Sequence, residues 1–221
     1  MKMNKKKLAV VSLVLCIAAI ISMSSLAWFT ATDYVDNTLN FAEKSSFVVD
    51  VIEHDADGNE VGTLDDPIGN TYEDLLPNQV ISKDPCIINK SATEAQFIRA
   101  TVTLSNAAKW KTLVAEGTDL ATIFEGFDDE AWTRYDAPVV SGDTISYTFY
   151  LDEQLPAGED ACLFTGVRIP STITTDDVAD LQETTITITA DAIQTTGFSE
   201  AATAYTAFNT SEAVKETTAT N

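Results

Sequence analysis

The sequence predicts an all-β protein: a jelly-roll-like β-sandwich with short inserted helices, preceded by an N-terminal signal helix. Three observations predict it. Apolar residues recur with a period of two over several short runs. Gly, Pro, Asn and Asp clusters punctuate those runs at fairly regular intervals. Threonine, which suits the solvent face of a pleated sheet, is abundant throughout.

The chain of 221 residues begins with a basic stretch, MKMNKKK, followed by an uncharged run from Leu8 to Phe29. A charge-free run of this length is enough to span a bilayer as a helix. Ser22, Ser24 and Ser25 make its end polar, and Ser25-Leu26-Ala27 places small residues where a signal peptidase reads them. The expected cut lies between Ala27 and Trp28; the alternative is an uncleaved anchor, with the membrane engaged only through that leader. The basic end stays in the cytoplasm, so everything after residue 28 is expected to be extracellular.

Four of the thirteen basic residues precede residue 8, which leaves nine basic against 34 acidic residues in the exported part, a net charge of −25. Such a surface repels phosphate backbones and argues against nucleic acid as a partner. Of three cysteines, Cys86 and Cys162 lie in the exported part. An even number in an exported chain predicts one disulfide, closing a loop of about 76 residues; two buried reduced thiols are the alternative.

Strands are expected over 47–54, where Phe47, Val49 and Val51 alternate, and over 95–104, where Ile98, Ala100, Val102 and Leu104 share a face. DTISYTFYL (143–151) and TTITITADAI (184–193) alternate in the same way, and CLFTGVRIP (162–170) reads as one further strand ended by Pro170. Short helices are expected over 106–116, 119–127 and 174–182, the last capped by Thr175 or Asp176. A brief helix over 200–208 precedes a polar, frayed end. The resulting division is a signal peptide (1–27), an N-terminal extended segment (28–43), one β-sandwich domain (44–198) and a C-terminal tail (199–221), helical and then disordered.

Catalytic machinery is hard to find in the sequence. His54 is the sole histidine, and neither a HExxH zinc motif nor a Gly-x-Ser-x-Gly elbow is present. A weak calcium candidate is HDADGNEVGTLDD, with Asp55, Asp57 and Asn59 at the first, third and fifth positions. Glu60 stands where the EF-hand loop needs glycine, and Asp57-Gly58-Asn59 reads more simply as a hairpin turn. No other metal and no cofactor is expected.

Four ordered stretches carry a family resemblance. LAWFTATDYVDNTLNF holds Ala27, Trp28, Phe29, Thr30, Asp33, Asn37, Leu39 and Phe41. ISKDPCIINKSATEAQFIRATVTL holds Lys83, Asp84, Pro85, Asn89, Ala95, Phe97, Ile98, Arg99 and Val102. LPAGEDACLFTGVRIP (155–170) and ITADAIQTTGF (188–198) follow. Together they resemble the TasA/camelysin family, exported biofilm-matrix fibre components with SipW-type signal peptides. The resemblance runs over residues 1–198 but omits 105–135, and the position of Cys86 departs from the family pattern. It implies a jelly-roll domain, release by a SipW-type signal peptidase, and self-association or association with a related fibre subunit. The metalloprotease activity described for some relatives finds no machinery in this sequence.

The resemblance gives Trp28, Phe29, Tyr34, Val35, Leu39 and Phe41 a role: an extended segment with apolar anchors can add as a strand to an open sheet edge. It would dock on a neighbouring subunit, or form the first strand of its own domain. Three functions follow. One is a secreted structural protein that assembles into or decorates fibres. The second is a monomeric surface module binding a cation, a glycan or a host protein; the third is an exported hydrolase.

Overall fold

A computed structural model describes residues 30–33 and 48–219, except positions 64 and 67. The expected signal helix, the cleavage site and most of the N-terminal segment therefore lie outside the described residues. In chain order the strands are β1 (Thr30–Asp33), β2 (Val49–His54), β3 (Glu60–Val61), β4 (Val80–Ser82), β5 (Cys86–Asn89) and β6 (Gln96–Leu104). Helix α1 (Ala107–Leu113) and a 3-10 turn (Leu120–Ile123) lead into β7 (Phe124–Glu125), β8 (Trp132–Arg134), β9 (Val139–Ser141), β10 (Thr144–Leu151), β11 (Asp160–Cys162) and β12 (Gly166–Arg168). The chain ends with α2 (Thr175–Val178), a 3-10 turn (Ala179–Leu181), β13 (Ile186–Gln194) and α3 (Ala201–Ala219).

The strands form an antiparallel sandwich. One sheet runs β1-β13-β6-β10-β8, with β9 also on β10; the second runs β11-β5-β2-β3; a smaller one runs β4-β12-β7. The long strands obey their period. Ile98, Ala100, Val102 and Leu104 of β6 are wholly buried, and Ile188, Ala190 and Ala192 of β13 extend the same face. Alanines pair across the middle of the sheet, Ala190 opposite Ala100, where bulk is least and β2 packs across β13. The other face carries hydroxyls in rows. Thr187, Thr103 and Ser146 stand side by side, as do Thr189, Thr101 and Thr148, with Thr103 Oγ1 2.9 Å from Ser146 Oγ.

Five sequence expectations are corrected. First, β2 does not alternate: Asp50 and Glu53 are as buried as Val49, Val51 and Ile52, because both of its faces are covered. Second, residues 162–170 are not one strand. β11 pairs with β5, whereas β12 pairs with β4 and β7, and the buried Leu163 and Phe164 between them change sheet. Gly166 permits the second pairing, since a Cβ there would lie 2.8 Å from the Ile81 carbonyl oxygen.

Third, only Leu120–Ile123 of 119–127 is helical, and Phe124 then turns into β7. Fourth, the α2 cap is Thr174, not Thr175 or Asp176. Its N–H and hydroxyl donate to the Asp177 carboxylate at 2.8 and 2.6 Å. Fifth, α3 continues to Ala219, where a frayed tail is expected after Asn209. The stretch is rich in alanine and contains no Gly or Pro that would stop it.

Lys109 of α1 ties that helix to α2, with its ammonium 2.8 Å from Asp177 and 3.0 Å from Asp180. The bond from Lys109, followed by those from Thr174, holds the Asp177 carboxyl down at about 2. A depressed folded pKa means the stabilisation is fully present above the ordinary carboxylate range and fades as pH falls toward about 2. Lys109→Met is expected to move the Asp177 midpoint upward in a carboxyl-carbon NMR titration; an unchanged midpoint would refute the assignment.

Cys86 and Cys162 are joined in a disulfide and stand directly opposite each other across β5 and β11. β11 is a three-residue edge strand, so the bridge anchors an element that few ladder bonds hold. Replacing both cysteines by alanine is expected to cost about 2–4 kcal/mol in urea unfolding. Amide exchange should quicken first at residues 160–162.

Candidate functional site

The predicted assembly segment is represented among the described residues by β1 alone. Its Thr30–Asp33 pair antiparallel with β13, Thr30 opposite Ile193 and Asp33 opposite Ala190. Trp28, Phe29, Tyr34, Val35, Leu39 and Phe41 lie outside the described residues, as does the Ala27–Trp28 cleavage site. β1 forms an edge of the large sheet and covers only the second half of β13.

The first half of β13 is different. Ser105 N–H donates to the Thr185 carbonyl at 3.0 Å, which sets the alternation of the ladder. The main-chain groups of Thr187 and Thr189 consequently turn toward β6, and those of Ile186 and Ile188 turn to the outer edge. Among the described residues no strand pairs with that edge.

Beside it opens a cleft of about 1020 Å³. Trp110 of α1, Val51 of β2, and Ile81, Val167 and Ile169 from the small sheet and its flank supply an apolar floor. Loop 69–76 and the turn around Leu181–Thr184 form the two lips. Within the wall lies an ion pair between Lys83 and Glu53, both buried. Asn70 Nδ2 donates to the His54 carbonyl at 3.0 Å and lies 3.4 Å from Glu53 Oε2. The Tyr72 hydroxyl donates to the Ser82 carbonyl at 2.5 Å. Burial, reinforced by the charges of Glu53 and Asp84, pushes the Tyr72 phenol up to about 12, so it remains a neutral donor. Among the described residues the buried indole N–H of Trp110 has no hydrogen-bond partner.

None of these cleft groups is a site residue of the sequence reading, although two leave a trace in it. Glu53 shares parity with Val49 and Val51, and Lys83 with Ile81, so each charge occupies a core-facing place. A charge at such a place calls for a partner of opposite sign. Which partner it finds is a matter of how β2 and β4 approach in space.

The calcium candidate is used locally. The Asp55 carboxylate accepts from the N–H groups of Asp57 and Asn59 at 2.9 and 2.8 Å and from Asn59 Nδ2 at 3.0 Å. These bonds, that of the Asn59 side chain foremost, hold its pKa low. Residues 55–59 close the hairpin between β2 and β3, with Gly58 at φ +82°. Asp160 lies close to Cys86 and Cys162, but both sulfurs are committed to the disulfide. His54 works as a clamp: Nδ1 is 2.7 Å from Asp84 Oδ2, while its main-chain N–H donates to Asp84 Oδ1 at 3.0 Å. In the acidic stretch 126–132, Asp128 accepts from Ala131 N–H at 3.1 Å and so serves the turn into β8.

No protein-family model, no curated protein and no solved structure matches this chain. Among the described residues no helix is long and apolar enough to cross a membrane.

Proposed function

We propose that the chain is a secreted structural protein of the cell envelope or biofilm matrix, which assembles into or decorates extracellular fibres by adding its N-terminal strand to a sheet edge after signal-peptide cleavage. One observation carries the reading: among the described residues β1 is the first strand, a four-residue edge strand held on β13. Main-chain hydrogen bonds dominate such pairing, so an equivalent strand from another copy satisfies the same edge. A head-to-tail exchange of this kind does not close on itself and gives filaments. The acidic surface and the bridged cysteine pair suit an extracellular setting. Mature chains beginning at Trp28 are expected in large assemblies, with filaments in electron micrographs that vanish when residues 28–43 are deleted. A full-length chain that keeps its leader, or filaments that survive the deletion, would overturn the reading.

A second reading, a monomeric surface binding module, is favoured by the cleft beside β13. It predicts a monodisperse monomer by size-exclusion after leader removal, with no filaments at any concentration.

A further inference from the structure

We infer that Lys83 and Asn70 become joined through their side chains in an intramolecular amide, with Glu53 as the acid–base group that moves the protons. A linkage of this kind needs an amine, a carboxamide and a proton carrier held together away from water. The three groups come from separate places: Glu53 lies in β2, Lys83 directly follows β4, and Asn70 belongs to the loop between β3 and β4. One carboxylate holds the other two. Glu53 Oε1 takes the Lys83 ammonium, and Glu53 Oε2 lies 3.4 Å from Asn70 Nδ2. The same Nδ2 donates to the His54 carbonyl at 3.0 Å, which fixes the amide beside the carboxylate.

A second tie is independent of these contacts. The Tyr72 hydroxyl donates to the carbonyl of Ser82, the residue before Lys83, at 2.5 Å. The loop that carries the carboxamide is thereby fastened to the segment that carries the amine. The surroundings are dry: Lys83 and Glu53 are buried, Asn70 is half-buried, and Val51, Ile81 and Trp110 line the same wall. Other lysine–carboxylate pairs among the described residues are wetter. Lys90 on Asp50 and Lys109 on Asp177 have side chains 42 % and 24 % exposed.

The step balances without an added reagent. Transfer of one proton from Nζ to Glu53 turns the ion pair into an amine and a carboxylic acid and leaves no charge in the wall. The amine attacks Asn70 Cγ; the Nζ–Cγ bond forms and the Cγ–Nδ2 bond breaks. Of the three protons on the lysine ammonium, one remains on the new amide, one reaches Nδ2 by way of Glu53, and one stays on Glu53. Nδ2 departs as ammonia. The product closes a ring over residues 70–83 that a reductant does not open, unlike the Cys86–Cys162 bridge. The ion pair between Lys83 and Glu53 is the state of the chain before this bond forms.

The test reads the mass of the full chain, folded and incubated in neutral detergent, then reduced and denatured. It is expected to be one ammonia lighter than its sequence. Trypsin should no longer cut after Lys83, giving one peptide over residues 45–90 that yields no backbone fragments between 70 and 83. Asn70→Ala, a loop change that keeps the ion pair, should carry its full mass and be cut after Lys83. Glu53→Gln keeps both reacting groups and removes the proton carrier, and should lower the linked fraction at least about tenfold. A parent chain of full sequence mass that trypsin cuts after Lys83 would overturn the proposal. So would loss of ammonia with Lys83 still cut, since Asn70 would then have closed onto its own backbone. Linkage in Asn70→Ala, or undiminished linkage in Glu53→Gln, would overturn it as well. The parent's mass and digest decide the bond by themselves, whether or not a variant folds.

Discussion

Replacing Tyr205 by alanine is expected to destabilise the domain by about 3–5 kcal/mol, the range for removing a large buried aromatic ring. Tyr205 is completely buried, and its ring stacks on that of Tyr150 at 5.1 Å with an interplanar angle of 4°. The Arg99 guanidinium carbon sits 4.6 Å from the ring centroid, itself fixed by an Nε bond to Asp191 at 2.9 Å. The Tyr205 hydroxyl donates to the Asp191 carbonyl at 2.6 Å, with the Phe97 carbonyl 3.0 Å away. Burial pushes the phenol well above its usual range, so it stays a donor at any physiological pH. Together with Ala201 and Ala204, this residue seats α3 on the outer face of the sheet, over Phe97, Tyr150 and Ile193. Tyr205→Phe keeps the ring and loses only the hydroxyl bond, which should cost about 1 kcal/mol. Urea unfolding followed by far-ultraviolet circular dichroism measures both. A loss below about 1 kcal/mol for the alanine variant would show that α3 does not depend on this contact.

Removing Lys83 alone should cost about as much, roughly 3–5 kcal/mol, because it leaves the Glu53 carboxylate in the cleft wall without its counter-ion. Lys83 and Glu53 are 6 % and 7 % exposed, so water cannot replace the lost partner without opening the wall. The double variant Lys83→Met/Glu53→Leu removes both charges and should recover most of the loss, since an apolar pair of similar volume avoids the desolvation cost. Urea midpoints of the single and double variants form a complete cycle. Additive losses would mean the two residues act independently. The same variants should change the polarity felt by Tyr72, whose raised phenol owes part of its shift to the Glu53 charge.

The long strands were legible because their signal is local. In β6, β10 and β13 the period of two places the apolar face without reference to anything distant, and Ile98, Val102, Tyr147 and Ile188 all point where the alternation puts them. The hairpin at Asp57-Gly58-Asn59 was legible for the same reason: its turn residues carry their own backbone preference. The short strands were not. β4, β7, β11 and β12 have two or three residues each, too few to display a period, and exist because they pair. The site was fainter still. Glu53, Lys83, Tyr72 and Trp110 are far apart in the chain, and no spacing rule brings them to one cleft.

The sequence by itself determined the all-β character, the faces of the long strands, the acidic balance and the presence of Cys86 and Cys162, because each follows from composition or from neighbours a few residues apart. The tertiary structure decided which strands meet. It set β1 against one half of β13, split residues 162–170 between two sheets and buried an ion pair between β2 and the segment after β4. Those outcomes depend on hydrogen bonds and desolvation shared by residues tens of positions apart, and each is fixed only when all the partners arrive together.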